Sequence, residues 1–397
     1  MTELIPTQSR APTATPVDVG ATVAVTRTAF PQLLTALQRR GYRTVGPTVQ
    51  NDAIVYAEIH RADELPIGWT DRQNDGYYRI MQGDEPTLFD YVVGPNSWKR
   101  FLYAPQTVLW RARRTDDGFV TETPAEAPPK YAFIGVRACE LRAIQLLDNV
   151  LLRGAYVDPA YAAMRAQLFV VAVNCTRPAA TCFCASMGTG PGATDGYDLA
   201  LTELTAPEHL FVVHVGSDAG AALLAEVDHR PVRDAEAELA AAKVAQAAAG
   251  QERQLDLDGV HDLLYNNFEH PFWDDVGARC LACGNCTMVC PTCFCVTVED
   301  STDLAGDVAE RRRRMDSCFS TAFTYVYGGS TRTSTRARYR QWLTHKLAGW
   351  VDQFDAYGCV GCGRCITWCP VGIDLTAEVA SLRAQSQEMA LERGGTA

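Results

Sequence analysis

The residues best suited to chemistry are cysteines in a repeated cadence. Cys280-Leu-Ala-Cys283-Gly-Asn-Cys286-Thr-Met-Val-Cys290-Pro291 returns as Cys359-Val-Gly-Cys362-Gly-Arg-Cys365-Ile-Thr-Trp-Cys369-Pro370. Each copy reads C-x2-C-x2-C-x3-C-P, the bacterial ferredoxin spacing for 4Fe–4S ligation. Three cysteines on a curling loop aim their sulfurs at three corners of one cube, with Gly284 and Gly363 permitting the turns. The fourth cysteine is expected to open a helix pointing away and so to reach the other cluster. The spacing therefore assigns Cys280, Cys283, Cys286 and Cys369 to one cubane and Cys290, Cys359, Cys362 and Cys365 to a second. Zinc is the competing metal, but zinc sites use pairs of C-x2-C and not four cysteines in this rhythm.

Fifteen cysteines are present, so seven remain. Cys139, Cys175, Cys182 and Cys184 lie in the N-terminal part. Cys139 follows one expected core strand and Cys175 ends the next. Parallel neighbours would bring both to one sheet edge, where ligands usually bind. Cys182 and Cys184, two apart, point to one side of an extended chain. Four thiols converging there suffice for a third cubane; the alternative is a group of buried structural thiols. The last three, Cys293, Cys295 and Cys318, are one short of a cubane. Thr-Cys-Phe-Cys occurs at 181–184 and again at 292–295, a hint of a reused ligation device, so a further cluster with a non-cysteine ligand stands beside the reading as plain thiols.

The elements that must position these thiols read as an α+β chain in which an N-terminal mixed α/β domain precedes a mainly helical two-cluster ferredoxin-like domain. Residues 1–20, rich in Pro, Thr and Ala, read as a disordered lead-in. From 21 to 255, strand and helix patterns alternate. Helices are expected at Phe30–Arg40, Glu140–Leu152 and Ala235–Ala249, and strands at Ala53–Ile59, Tyr131–Val136, Leu168–Asn174, Leu199–Leu204 and Leu210–Val215. Tyr131–Asn174 has the order of a β-α-β unit. In the domain from 256 to 397, a connecting helix is expected over Val260–Phe268. The stretch 296–356 between the cysteine motifs is expected to be a helical insert, with a charged helix at Val308–Met315 and a longer one at Arg336–Phe354. The run Arg311–Arg314 reads as a solvated helix face.

Bulk properties exclude several classes. A net charge of −11 does not suit a phosphate backbone. No apolar run approaches the roughly 20 residues of a membrane span. The N-terminus lacks the apolar segment of a secretory signal, and in a reducing compartment clustered cysteines favour metal ligation over disulfides, so a cytoplasmic location is expected. Gly188-Thr-Gly190-Pro-Gly192 neither follows a strand directly nor opens a helix, and reads as a turn beside Cys184, not a dinucleotide loop. No histidine sits in a ligand or catalytic spacing, and His214 reads as a core or edge residue. Trp98, Lys99 and Arg100 form an aromatic–basic patch that either packs and snorkels or meets a partner or an anionic substrate.

The stretch 280–295 (CLACGNCTMVCPTCFC) with Cys359–Pro370 resembles the β subunit of sulfhydrogenases, the cytosolic NAD(P)-linked NiFe hydrogenases, and equally the iron–sulfur subunit of anaerobic sulfite reductase. The likeness extends through Val93–Phe101, Gly135–Ile144, Asn174–Pro191 and Asp198–Leu204, and covers roughly residues 25–380. It implies an electron-relay subunit without a catalytic site of its own. Its partners would be the small and large NiFe hydrogenase subunits together with a flavin- and NAD(P)-binding diaphorase subunit, or a sirohaem subunit in the sulfite reductase case. A third reading makes the chain a self-sufficient polysulfide reductase acting through Cys139, Cys175, Cys182 and Cys184.

Overall fold

The computed structural model describes residues 16–123 and 128–394. The expected lead-in thus lies largely outside the described residues. Only its last few are seen, where the Gly20 N–H already donates to the Val215 carbonyl at 2.8 Å.

An eight-stranded mixed sheet carries the N-terminal part. Its order is Arg230–Pro231, Thr22–Thr26, Leu210–Val215, Leu199–Leu204, Phe169–Val173, Tyr131–Val136, Arg43–Gln50 and Ala53–Glu58. The three central strands are parallel to one another, and Tyr131–Val136 also runs parallel to Arg43–Gln50. Continuous apolar runs such as FVVAV and YAFIGV are buried almost throughout, as central strands covered on both faces must be. The helix Ala138–Leu151 makes the crossover between two of them, so the expected β-α-β unit is present. Helix Phe30–Arg39 packs Phe30, Leu33, Leu34 and Leu37 against one face.

The segment Val308–Met315 corrects the expected charged helix. It is a strand, paired antiparallel with Val296–Thr302 on one side and with Gln106–Thr115 on the other. The first half of the 296–356 insert is therefore a hairpin that completes a four-stranded sheet with the N-terminal hairpin Gln106–Glu122. The physical reason lies across the hairpin. Asp300 and Glu299 hold Arg311 and Arg314 at 2.7 and 2.6 Å, and Asp158 holds the buried Arg313. These partners are non-local, and helical i,i+4 pairing supplies none of them. The second half of the insert is helical as expected. Thr335–Thr344 continues through a π-helical turn, His345–Gly349, into Trp350–Phe354.

The two parts interlock rather than abut. The loop 175–184 is pinned by Arg177 to Asp71 at 2.8 Å, and Thr181 meets Thr367 of the second cysteine motif at 2.8 Å. Among the described residues no helix is long and apolar enough to cross a membrane.

Candidate iron–sulfur centres

Both cysteine motifs fold alike. In the first, Cys280 closes the helix Phe272–Arg279, the chain passes through left-handed residues Ala282 (φ 50°) and Gly284 (φ 78°), and a single helical turn Asn285–Met288 follows. In the second, Gly361 (φ 62°) and Gly363 (φ 75°) precede the turn Arg364–Thr367. Alternating hands of backbone turn amides inward, a cradle suited to anionic sulfur. Ala282 N–H donates to Cys280 Sγ at 3.4 Å and Ile373 N–H to Cys369 Sγ at 3.3 Å. Contrary to the expectation from the motif, the fourth cysteine does not open a helix; Cys290 and Cys369 follow the helical turn. The turn itself carries the chain across to the neighbouring motif.

Cys280, Cys283, Cys286 and Cys369 line one cavity walled by Phe319, Tyr339 and Trp342. Burial first, then the neighbouring thiols Cys280, Cys283 and Cys369, push the Cys286 thiol well above its ordinary range. Burial followed by Cys359, Cys362 and Cys290 does the same for Cys365. Among the described residues no three His, Cys, Asp or Glu side chains converge closely enough to share a single ion. Sulfurs that grip the corners of a cube stand farther apart than sulfurs on one metal. A cavity lined by Cys280, Cys283, Cys286 and Cys369 together with Cys365 of the second motif, amide donors to sulfur and largely apolar walls fits 4Fe–4S ligation.

Cys139, Cys175, Cys182 and Cys184 also come together, beside the second motif. Cys139 sits in the first turn of Ala138–Leu151 and Cys175 just beyond the parallel strand Phe169–Val173. Burial raises the thiols of Cys139 and Cys182, which also feel Cys184, Cys175 and Cys362. Phe183 N–H donates to Gly361 carbonyl at 2.9 Å, and a methyl on Gly361 would lie 2.6 Å from Cys184 N. Glycine is needed there because two backbones touch, not merely because of the turn. The glycine-rich stretch does turn beside Cys184, with Thr189 N–H donating to its carbonyl at 3.0 Å.

Several polar residues around these thiols carried no sequence signal. Buried Arg137 gives hydrogen bonds to the Phe89 and Tyr91 carbonyls, both at 2.6 Å, and to the Cys175 thiol. Gln251 donates to Cys184 Sγ at 3.1 Å. Lys346 donates to Cys290 Sγ at 3.2 Å and Gly358 carbonyl at 2.9 Å. Lys99, read in the sequence with Trp98 and Arg100, packs as a buried cation that donates to the Cys290 and Cys293 carbonyls at 2.8 and 2.6 Å. Trp98 beside it stacks between Tyr56 at 3.9 Å and Phe133 at 4.6 Å. His214 lies on the strand Leu210–Val215 and is hydrogen-bonded to Tyr197. Cys293, Cys295 and Cys318 line a further cavity with His345.

Comparison with known proteins agrees with this geometry. Residues 279–373 match the 4Fe-4S dicluster domain family. Over 356 residues the chain is 31% identical to Sulfhydrogenase 2 subunit beta of Pyrococcus furiosus, covering 87% of this chain and 93% of that protein. No solved structure matches. With thiols grouped for cubanes and a likeness running nearly end to end, the chain belongs to the sulfhydrogenase beta subunit family of 4Fe–4S proteins.

Proposed function

We propose that the chain is the electron-relay subunit of a cytoplasmic NAD(P)-linked NiFe hydrogenase or sulfhydrogenase, passing electrons between the hydrogenase module and a flavoprotein subunit. Cys280, Cys283, Cys286 and Cys369 hold one 4Fe–4S cubane; Cys290, Cys359, Cys362 and Cys365 hold a second; Cys139, Cys175, Cys182 and Cys184 hold a third. A bound cubane takes up and returns one electron at a time.

The observation that carries this reading is the order of the thiol sets. Cys365 of the second set lines the cavity of the first. Cys362 of the second set bears electrostatically on Cys139, Cys182 and Cys184 of the third. The middle set therefore bridges the outer two, as a wire requires. The protein's part is to exclude water and to set potentials. Lys346, Arg137 and Gln251 point donors at sulfur, which favours the reduced, more negative state. Cys283 is exposed, and Leu281 and Met288 beside it keep 64% and 53% of their surface. That apolar rim around the first set is where a partner's cofactor approaches.

The relative's name favours the hydrogenase complex over a sulfite reductase. Anaerobic co-purification with identification of the bound subunits tests it. Flavoprotein and NiFe subunits are expected; a sirohaem subunit would replace this reading with the other. Iron analysis tests the third set separately. Each cubane brings about 4 Fe, so Cys182→Ser should lower the iron by that amount, and unchanged iron would remove the third.

A further inference from the structure

Cys293, Cys295 and Cys318 belong to none of these sets, yet the fold gathers them. All three line one cavity together with Thr292, Trp342 and His345. Cys295 and Cys318 hydrogen-bond to each other, and Cys293 reaches Cys290 of the second motif. The thiols come from two separate segments and the histidine from a third, so no local sequence constraint explains their meeting.

Charge marks the same place. Lys99 and Lys346 keep only 7% and 5% of their surface. Their partners among the described residues are carbonyls, the Thr292 hydroxyl and cysteine sulfur, with no carboxylate. A buried ammonium is costly unless an anion accompanies it. Two of them converge on the Cys290–Cys293 segment, where Lys346 feels Cys293 besides Cys290, Cys359 and Cys365 of the second set, and Lys99 feels Cys293, Cys290 and Cys295.

The repeated tetrapeptide supplies a third, independent observation. The two Thr-Cys-Phe-Cys segments flank the same loop. Phe183 N–H meets Gly361 carbonyl at 2.9 Å from one side, and Thr292 Oγ1 meets Gly358 carbonyl at 2.7 Å from the other. In the first copy both cysteines join two thiols from other elements. In the second, Cys293 and Cys295 join Cys318, and the fourth place on the cavity wall is taken by His345. His345 opens the π-helical turn, a rare distortion that recurs at functional sites. Its ring is hydrogen-bonded with Gln353, the kind of outer partner that orients a ligating imidazole.

We infer that Cys293, Cys295, Cys318 and His345 hold an additional iron–sulfur cluster, ligated by three thiolates and one imidazole and placed against the second cubane. It forms a branch or a further step of the relay. This goes beyond the three-cubane reading and does not depend on it, since its ligands are separate.

The test uses the full chain, reconstituted anaerobically with iron and sulfide, and reads iron, acid-labile sulfide and EPR spectra instead of activity. Cys318→Ser and Cys295→Ser should each lose one cluster's iron and sulfide while the other signals persist. That loss should add to the one caused by Cys182→Ser, which separates this site from the third cubane. Unchanged iron and sulfide in both variants would overturn the inference and leave Cys295 and Cys318 as a plain thiol pair. Should both variants lose every cluster by failing to fold, His345→Cys decides. Retained iron with one altered EPR signature supports the site, and an unaltered spectrum overturns it.

Discussion

Arg364 and Glu140 form an ion pair in which the side chains keep 0% and 1% of their surface. Arg364 belongs to the second cysteine motif, and Glu140 is the neighbour of Cys139 in the third thiol set. The same carboxylate accepts hydrogen bonds from Tyr56 Oη at 2.6 Å and Trp98 Nε1 at 3.0 Å. Arg364 also donates to the Gly94 and Asn96 carbonyls, both at 2.8 Å. One buried pair thus ties the helix that carries Cys139 to the second cysteine motif, across 224 residues of sequence.

Breaking that pair should be expensive. Arg364→Met leaves a buried carboxylate without its cation, a loss of about 3–5 kcal/mol. Pairing it with Glu140→Gln should restore part of the loss. Anaerobic denaturant unfolding of the loaded protein measures both, and a single-variant cost below about 1 kcal/mol, the worth of an exposed pair, would show that the pair holds nothing together.

Equivalent positions in the two motifs should tolerate different residues. Ala282 already occupies the left-handed position of the first motif, so Ala282→Gly should leave cluster content unchanged. Gly361→Ala at the matching place drives a methyl to 2.6 Å from the Cys184 backbone. It should expose the 181–191 loop to hydrogen exchange and, on the proposal of a third cubane, lower the iron content. Equal behaviour of the two variants would argue against the close backbone contact.

Lys346 sets the electrostatics of the second set. Replacing its ammonium with the neutral stem of Lys346→Met removes a charge-assisted donor 3.2 Å from Cys290 Sγ. Reduction adds negative charge, so losing the cation should lower that cluster's potential by tens of millivolts, up to about 100 mV. An EPR-monitored redox titration in which the potentials of variant and parent coincide would contradict this.

Removing the clusters should create a stability that depends on alkaline pH. Burial pushes the thiols of Cys184 and Cys359 up to about 12 from an ordinary value of 9.0. A raised folded-state pKa stabilises the fold below the unfolded value and loses that contribution as pH climbs toward the folded one. The metal-free chain should therefore melt progressively earlier between pH 9 and about 12. The loaded chain, whose thiols are already deprotonated on iron, should show a weaker dependence. Parallel slopes for the two forms would sink the argument.

Much of this protein was readable before any folding was considered, because ferredoxin ligation is local. Three cysteines within seven residues must curl around one centre, whereas the motif misleads about the path of the fourth: Cys290 and Cys369 follow a helical turn instead of opening a helix. Buried strands such as Tyr131–Val136 announced themselves through continuous apolar runs, which central parallel strands require. What the residues of Val308–Met315 become was decided elsewhere. Their partners, Gln106–Thr115 and Val296–Thr302, include a strand nearly two hundred residues upstream, and an arginine run has no period that separates a helix from a ladder. The same holds for the cations. Lys99, Arg137 and Lys346 look like surface residues in one dimension, and only three-dimensional packing puts them beside sulfur, where burial makes an anion obligatory.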